Sequence, residues 1–109
     1  MSPHDTPLSE PVLLILTSLA DEPKHGYAIL KDVAELSGER VQLSTGTLYG
    51  ALRRLLEDGW ITRHEGRGER DRQSYRLSGS GRAVLEGEID RMRALARIAR
   101  GRLAAAEGG

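Results

Sequence analysis

Residues 60–77 constrain the fold most. Two short extended runs, 60–65 and 73–77, bracket the charged, glycine-containing turn GRGERDR at 66–72. Ile61 falls on one side of the first run, and Tyr75 and Leu77 alternate along the second, so the pair reads as a β-hairpin. A turn of this length exceeds the tight two-residue loops, and its tip is expected to be mobile. The rest of the patterned sequence has helical spacing, which places one small hairpin among helices.

Ser9 is a candidate N-cap, with Glu10 and Pro11 in a first turn that favours both. The helix that follows is expected to run from Val12 to about Ala20, and Asp21-Glu22-Pro23 ends it. A second helix begins near His25-Gly26 and runs to Leu36. Its apolar stripe is Ile29, Leu30, Val33 and Ala34, and Gly38 is suited to the left-handed position that closes a helix. An extended piece at 40–43 is expected to pair weakly with a later strand. Ser44 caps a third helix, in which Leu48, Leu52 and Leu55 share one face, and Gly59 supplies its C-terminal turn. Ser78 and Ser80 are candidate caps for a last helix of about 25 residues, roughly 37 Å long. The Ala-Ala-Ala-Glu-Gly-Gly tail is expected to fray.

The order is helix, helix, helix, strand, strand, long helix. This predicts a mostly α fold with a small β-hairpin: a winged helix-turn-helix over residues 1–78, then a long helix with a frayed tail over 79–109. In the last helix Leu85, Ile89, Met92, Ala96, Ala99 and Leu103 are spaced 4, 3, 4, 3, 4, which is a heptad seam. The seam outruns a small core, so packing on the same helix of a second copy is expected; the alternative is a helix lying on its own domain.

With 109 residues the chain holds one compact domain. It has no cysteine, which excludes disulfides, thiolate metal sites and cysteine nucleophiles. No signal peptide is visible at the start, and the longest apolar run, Val12 to Leu16, is far short of a membrane span. The expected location is the cytoplasm. The formal net charge is zero, yet the charge is uneven: residues 40–82 hold nine arginines against five acidic residues, and residues 1–39 hold two lysines against seven. Arginine suits bidentate contacts to phosphate and guanine.

The third helix opens with Ser44-Thr45-Gly46-Thr47, weaker helix formers than most. With the leucines turned inward, its outward stripe is Thr45, Tyr49 and Arg53, flanked by Gly46 and Gly50. In a helix-turn-helix this helix enters the major groove, and its first residues meet base edges and phosphates. Small residues let the backbone approach, hydroxyls bond phosphate or base, and the helix N-terminus favours an anion. Each residue also has an ordinary reading: Ser44 can cap without any ligand, and Tyr49 can be a half-buried core residue.

Four stretches together resemble the PadR family of transcriptional regulators, in its compact class with a single C-terminal helix. They are HGYAILKDVAELSG at 25–38, LSTGTLYGALRRLLEDGWI at 43–61, the hydrophilic wing, and SYRLSGSGRAVL at 74–85. Two positions depart from the family's wording: Thr45 and Gly50 stand where proline is frequent. Ser78 replaces a common threonine, a fair exchange for a cap. The resemblance implies a homodimeric repressor on a palindromic operator. It carries Ser44, Thr47 and Tyr49 over as DNA-contacting positions and, by position alone, the wing arginines Arg67, Arg70 and Arg72. It also implies that the last helix packs against its dimer mate and the first helix.

A small-molecule effector is a further candidate partner, because compact relatives bind flat aromatic drugs between subunits, some through a tryptophan on the last helix. That helix has none here. The single tryptophan, Trp60, is expected to pack under the hairpin. His4, His25 and His64 lack the i, i+4 spacing of a helical metal site, so no metal and no cofactor are expected. No nucleophile elbow or phosphate-binding loop appears, and the chain is not expected to be an enzyme. A winged-helix adaptor for protein–protein contacts is the alternative function.

Overall fold

The computed structural model describes residues 8–64 and 73–108. Its elements run α1 (Glu10–Ser18), β1 (Lys24–His25), α2 (Gly26–Leu36), α3 (Thr45–Glu57), β2 (Ile61–His64), β3 (Ser74–Leu77) and α4 (Gly79–Gly108). This is the mostly helical, winged helix-turn-helix arrangement expected from the sequence, with the long C-terminal helix in place. His4, Arg67, Arg70, Arg72 and the tip of the hairpin turn lie outside the described residues.

Ser9 caps α1, its Oγ accepting from Val12 N at 3.4 Å, and Glu10 and Pro11 occupy the first turn. The helix stops at Ser18, two residues earlier than expected, with Leu19 as its C-cap. Lys24 holds the connection that follows: its Nζ donates to Ser18 O and pairs with Asp21 Oδ1 at 2.9 Å. Ser18, itself buried, donates to Asp32 Oδ2 at 2.7 Å and so links α1 to α2.

The sheet has three strands, not two, in the order β1-β3-β2 and antiparallel throughout. The third strand is not the 40–43 piece. Lys24 pairs with Tyr75 and His25 with Ser74, and this short strand takes the open edge of β3. Residues 40–43 stay in the turn between α2 and α3, where Arg40 N donates to Ser37 O at 3.2 Å. Val41 N donates to Ser37 Oγ at 2.9 Å, and Gln42 Nε2 donates to Glu39 O at 3.1 Å. Val41 and Leu43 pack against the core instead of entering a ladder.

Ile15, Leu16, Ile29, Val33, Leu48, Leu52, Leu55 and Ile61 form the centre of the core, joined by Tyr75, Val84 and Leu85. The start of α4 belongs to that core. Ser78 fastens it: its N–H donates to Trp60 O at 3.0 Å, its hydroxyl donates to Gly59 O at 2.6 Å, and Gly81 N donates to its Oγ at 3.0 Å. Gly81 is the close approach that permits this, since a Cβ there would lie 2.9 Å from the Trp60 carbonyl carbon and closer still to its oxygen. Trp60, expected under the hairpin, is half-buried against the core and walls a cleft with Leu8, Val12 and Leu55.

Beyond Glu88, α4 is exposed along its whole length. It has 30 residues rather than about 25 and continues through the alanines to Gly108, where a frayed tail was expected. Three consecutive alanines, the best helix formers, carry the helix on.

Candidate nucleic-acid interface

The first turn of α3 is built by its cap. Ser44 Oγ accepts from Thr47 N at 3.1 Å and its hydroxyl donates to Thr47 Oγ1 at 2.9 Å. Ser44 and Thr47 therefore reach the surface as one bonded pair, in which the Thr47 hydroxyl keeps its own hydrogen to donate outward. Leu48, Leu52 and Leu55 are buried on the opposite side. That anchorage leaves Thr45, Gly46, Thr47, Tyr49, Gly50 and Arg53 exposed. The remaining N–H groups of the first turn and the helix dipole give this end a preference for an anion.

Tyr49 stays outside the hydrophobic core cluster. It is 46% exposed, yet its ring end lies directly over Gly26 at the start of α2. A Cβ at position 26 would come within 2.7 Å of Tyr49 Cζ and closer to the hydroxyl. The His-Gly-Tyr and Gly-Thr-Leu-Tyr stretches thus meet in space: the missing side chain of one seats the phenol of the other. Sequence reading did not single out two exposed residues of α2 as site candidates. Tyr27 is 64% exposed, and Lys31 one turn on stands 5.9 Å from the centre of its ring. Their signal was exposure of an aromatic at the opening of α2, which helical spacing alone does not reveal.

On the wing, Thr62, Arg63 and Arg76 are exposed, and Arg63 donates to Gln73 Oε1. Burial pushes the Tyr75 phenol above its ordinary range. Among the described residues no cluster of His, Cys, Asp or Glu could hold a metal ion, and no helix is long and apolar enough to cross a membrane.

The candidate seam divides in two. Leu85 is buried in the core of its own chain, whereas Ile89, Met92, Ala96, Ala99 and Leu103 face outward. Leu95 and Ile98, outside the heptad spacing, are exposed as well and widen the apolar surface. Glu88 is buried beside them, paired with Arg91 at 2.9 Å.

Residues 15–87 match the family model described as the transcriptional regulator PadR-like family. The chain is 40% identical over 80 residues to an uncharacterised 37.1 kDa protein from a transposon of Streptomyces fradiae; the match takes in 73% of this chain and 22% of that protein's length. Among solved structures, a PadR family transcriptional regulator from Eggerthella lenta is 29% identical, with a TM-score of 0.62 over 85% of this chain and 80% of that one. Bacillus subtilis PadR in complex with operator DNA is 25% identical, with a TM-score of 0.63 over 74% of this chain and 46% of that one. A PadR family regulator from Clostridium difficile, 24% identical, shares the fold with a TM-score of 0.67 over 87% of this chain and 99% of that one.

Proposed function

The chain belongs to the transcriptional regulator PadR-like family, a family of regulators and not of enzymes, and from that premise we propose that it binds a palindromic operator as a homodimer and represses transcription. The observation that carries this reading is the two-sided character of α3: leucines fully buried on one face, and an exposed face of hydroxyls, glycines, Tyr49 and Arg53 on the other.

In this reading α3 lies in the major groove. The Ser44–Thr47 pair and Thr45 contact phosphate or base edges at its opening, Tyr49 donates its hydroxyl to a phosphate, and Arg53 reaches a guanine or phosphate. Arg67, Arg70 and Arg72 of the wing add backbone contacts, with Glu69 and Asp71 weakening their field. Residues 1–78 read the DNA and residues 79–109 assemble the dimer, through Ile89, Met92, Ala96, Ala99 and Leu103 on the arm, while Leu85, buried in the core of its own chain, anchors the helix and drops out of the seam. Two α3 helices then stand about one turn of DNA apart, near 34 Å. A small-molecule effector that releases the operator is part of the same proposal.

The test is a fluorescence-anisotropy titration against duplex DNA from the chain's own upstream region, at low and moderate salt. Saturable binding that survives excess competitor DNA supports the reading. Binding that is weak and vanishes with salt overturns it and brings the adaptor function forward.

A further inference from the structure

The turn between α2 and α3 decides where the recognition helix begins, and its conformation is demanding. Gly38 and Glu39 both have left-handed backbones, with φ of 62° and 67°. For Glu39, which has a side chain, that conformation persists only where its surroundings hold it. Glu39 N donates to Ala34 O at 2.7 Å, and Ser37 and Gln42 bond within the turn. Among the described residues one side-chain hydrogen-bonding link leaves it for another part of the chain. Arg40 reaches Glu10, in the first turn of α1 and 30 residues earlier, through a two-pronged fork with Nη1 to Oε1 at 2.8 Å and Nη2 to Oε2. These hydrogen bonds hold the Glu10 carboxyl below its ordinary range and raise Arg40.

Arg40 lies in the arginine-rich segment, five residues before α3. By charge alone it counts among the phosphate contacts. Its geometry says otherwise, because both prongs of the guanidinium are turned to a carboxylate. We propose that Glu10 and Arg40 are a positioning pair: the fork ties the turn to α1 and sets the approach of α3 to DNA, and Arg40 does not itself contact a phosphate. The proposal rests on the DNA-binding reading above for its functional consequence. Its structural half, control of the first turn of α3, stands apart from that reading.

The two roles of Arg40 predict opposite signs. A phosphate contact gains when its competing carboxylate is removed, whereas a positioning pair loses. The experiment compares Glu10→Gln, Arg40→Gln and the exchange Glu10→Arg with Arg40→Glu, in the full chain. Anisotropy against the upstream duplex is measured across a salt series, and amide exchange of Thr47 is followed without DNA. Each single variant is expected to weaken binding about two- to fivefold, with an unchanged salt slope and a less protected Thr47 amide. The exchange should recover most of both losses. Tighter binding by Glu10→Gln, or a salt slope shallower by about one in Arg40→Gln, would make Arg40 a phosphate contact and overturn the proposal. Singles indistinguishable from the parent in Thr47 exchange would overturn it too. If the parent chain binds no duplex, the DNA-binding reading fails while Thr47 exchange still decides the pair.

Discussion

The head of the molecule and the outer part of α4 treat apolar residues in opposite ways. In the head, Ile15, Leu16, Leu19, Ile29, Leu48, Leu52, Leu55 and Ile61 are buried, Leu36 is the one exposed leucine or isoleucine among the head's described residues, and the exposed side of α3 is polar. On the arm, Met92, Leu95, Ile98 and Leu103 are all about half exposed or more. Exposed apolar residues along one helix mark a candidate packing surface. The contrast fits the proposed dimer, in which the head folds on its own interactions and the arm acquires its packing on assembly.

The sharpest way to break that contrast is to charge the seam. Met92→Asp is expected to leave the melting of the head nearly unchanged. It should raise the dimer dissociation constant about 100-fold or more, since both copies carry the change in the middle of the interface. Sedimentation velocity across a concentration series checks it, and operator binding should be lost in parallel. A dimer that persists would place assembly elsewhere.

Two glycines on one helix sharpen the comparison next. Gly81→Ala forces a Cβ into the Trp60 carbonyl where α4 is clamped to the head, and is expected to cost about 2–4 kcal/mol. At Gly101, with nothing within 4 Å, the same substitution should stabilise the arm by about 0.5–1 kcal/mol. Thermal melts of the two variants should therefore move in opposite directions.

On the proposed DNA face the expected effects are smaller. Tyr49→Phe removes the proposed hydrogen bond to phosphate and should weaken operator binding by about tenfold with the fold intact. Gly26→Ala displaces the same ring from its seat and should act in the same direction. Binding unchanged in both would take Tyr49 off the interface. The smallest effect is alkaline. The Tyr75 phenol is raised above its ordinary 10.0 by burial, so its contribution is complete below that pH and is lost as pH rises through the folded value. The alkaline decline in melting temperature should be shallower in Tyr75→Phe.

Much of this was legible in the chain because the signals are local. Ser9, Ser44 and Ser78 cap where they should, Gly38 and Gly59 close their helices with positive φ, and the leucines of α3 set its buried face. Misplaced features depended on pairing between distant segments. Lys24 and His25 carry no strand signal of their own and become one because β3 offers a free edge. Residues 40–43 look extended, but Arg40 N and Val41 N already donate to Ser37 in the turn. At the interface, Tyr49 could not be resolved from periodicity, because Gly26, which makes its seat, lies on another helix. Leu95 and Ile98 were hidden by the regularity of the heptad beside them.

The central claim is that α4 carries two recognition helices onto one operator. Native mass spectrometry of the chain with a palindromic upstream duplex, and with the corresponding single half-site, tests it most directly. Two chains per full duplex, with much weaker binding to the half-site, is the predicted result. One chain per duplex, bound equally well to either DNA, would contradict it.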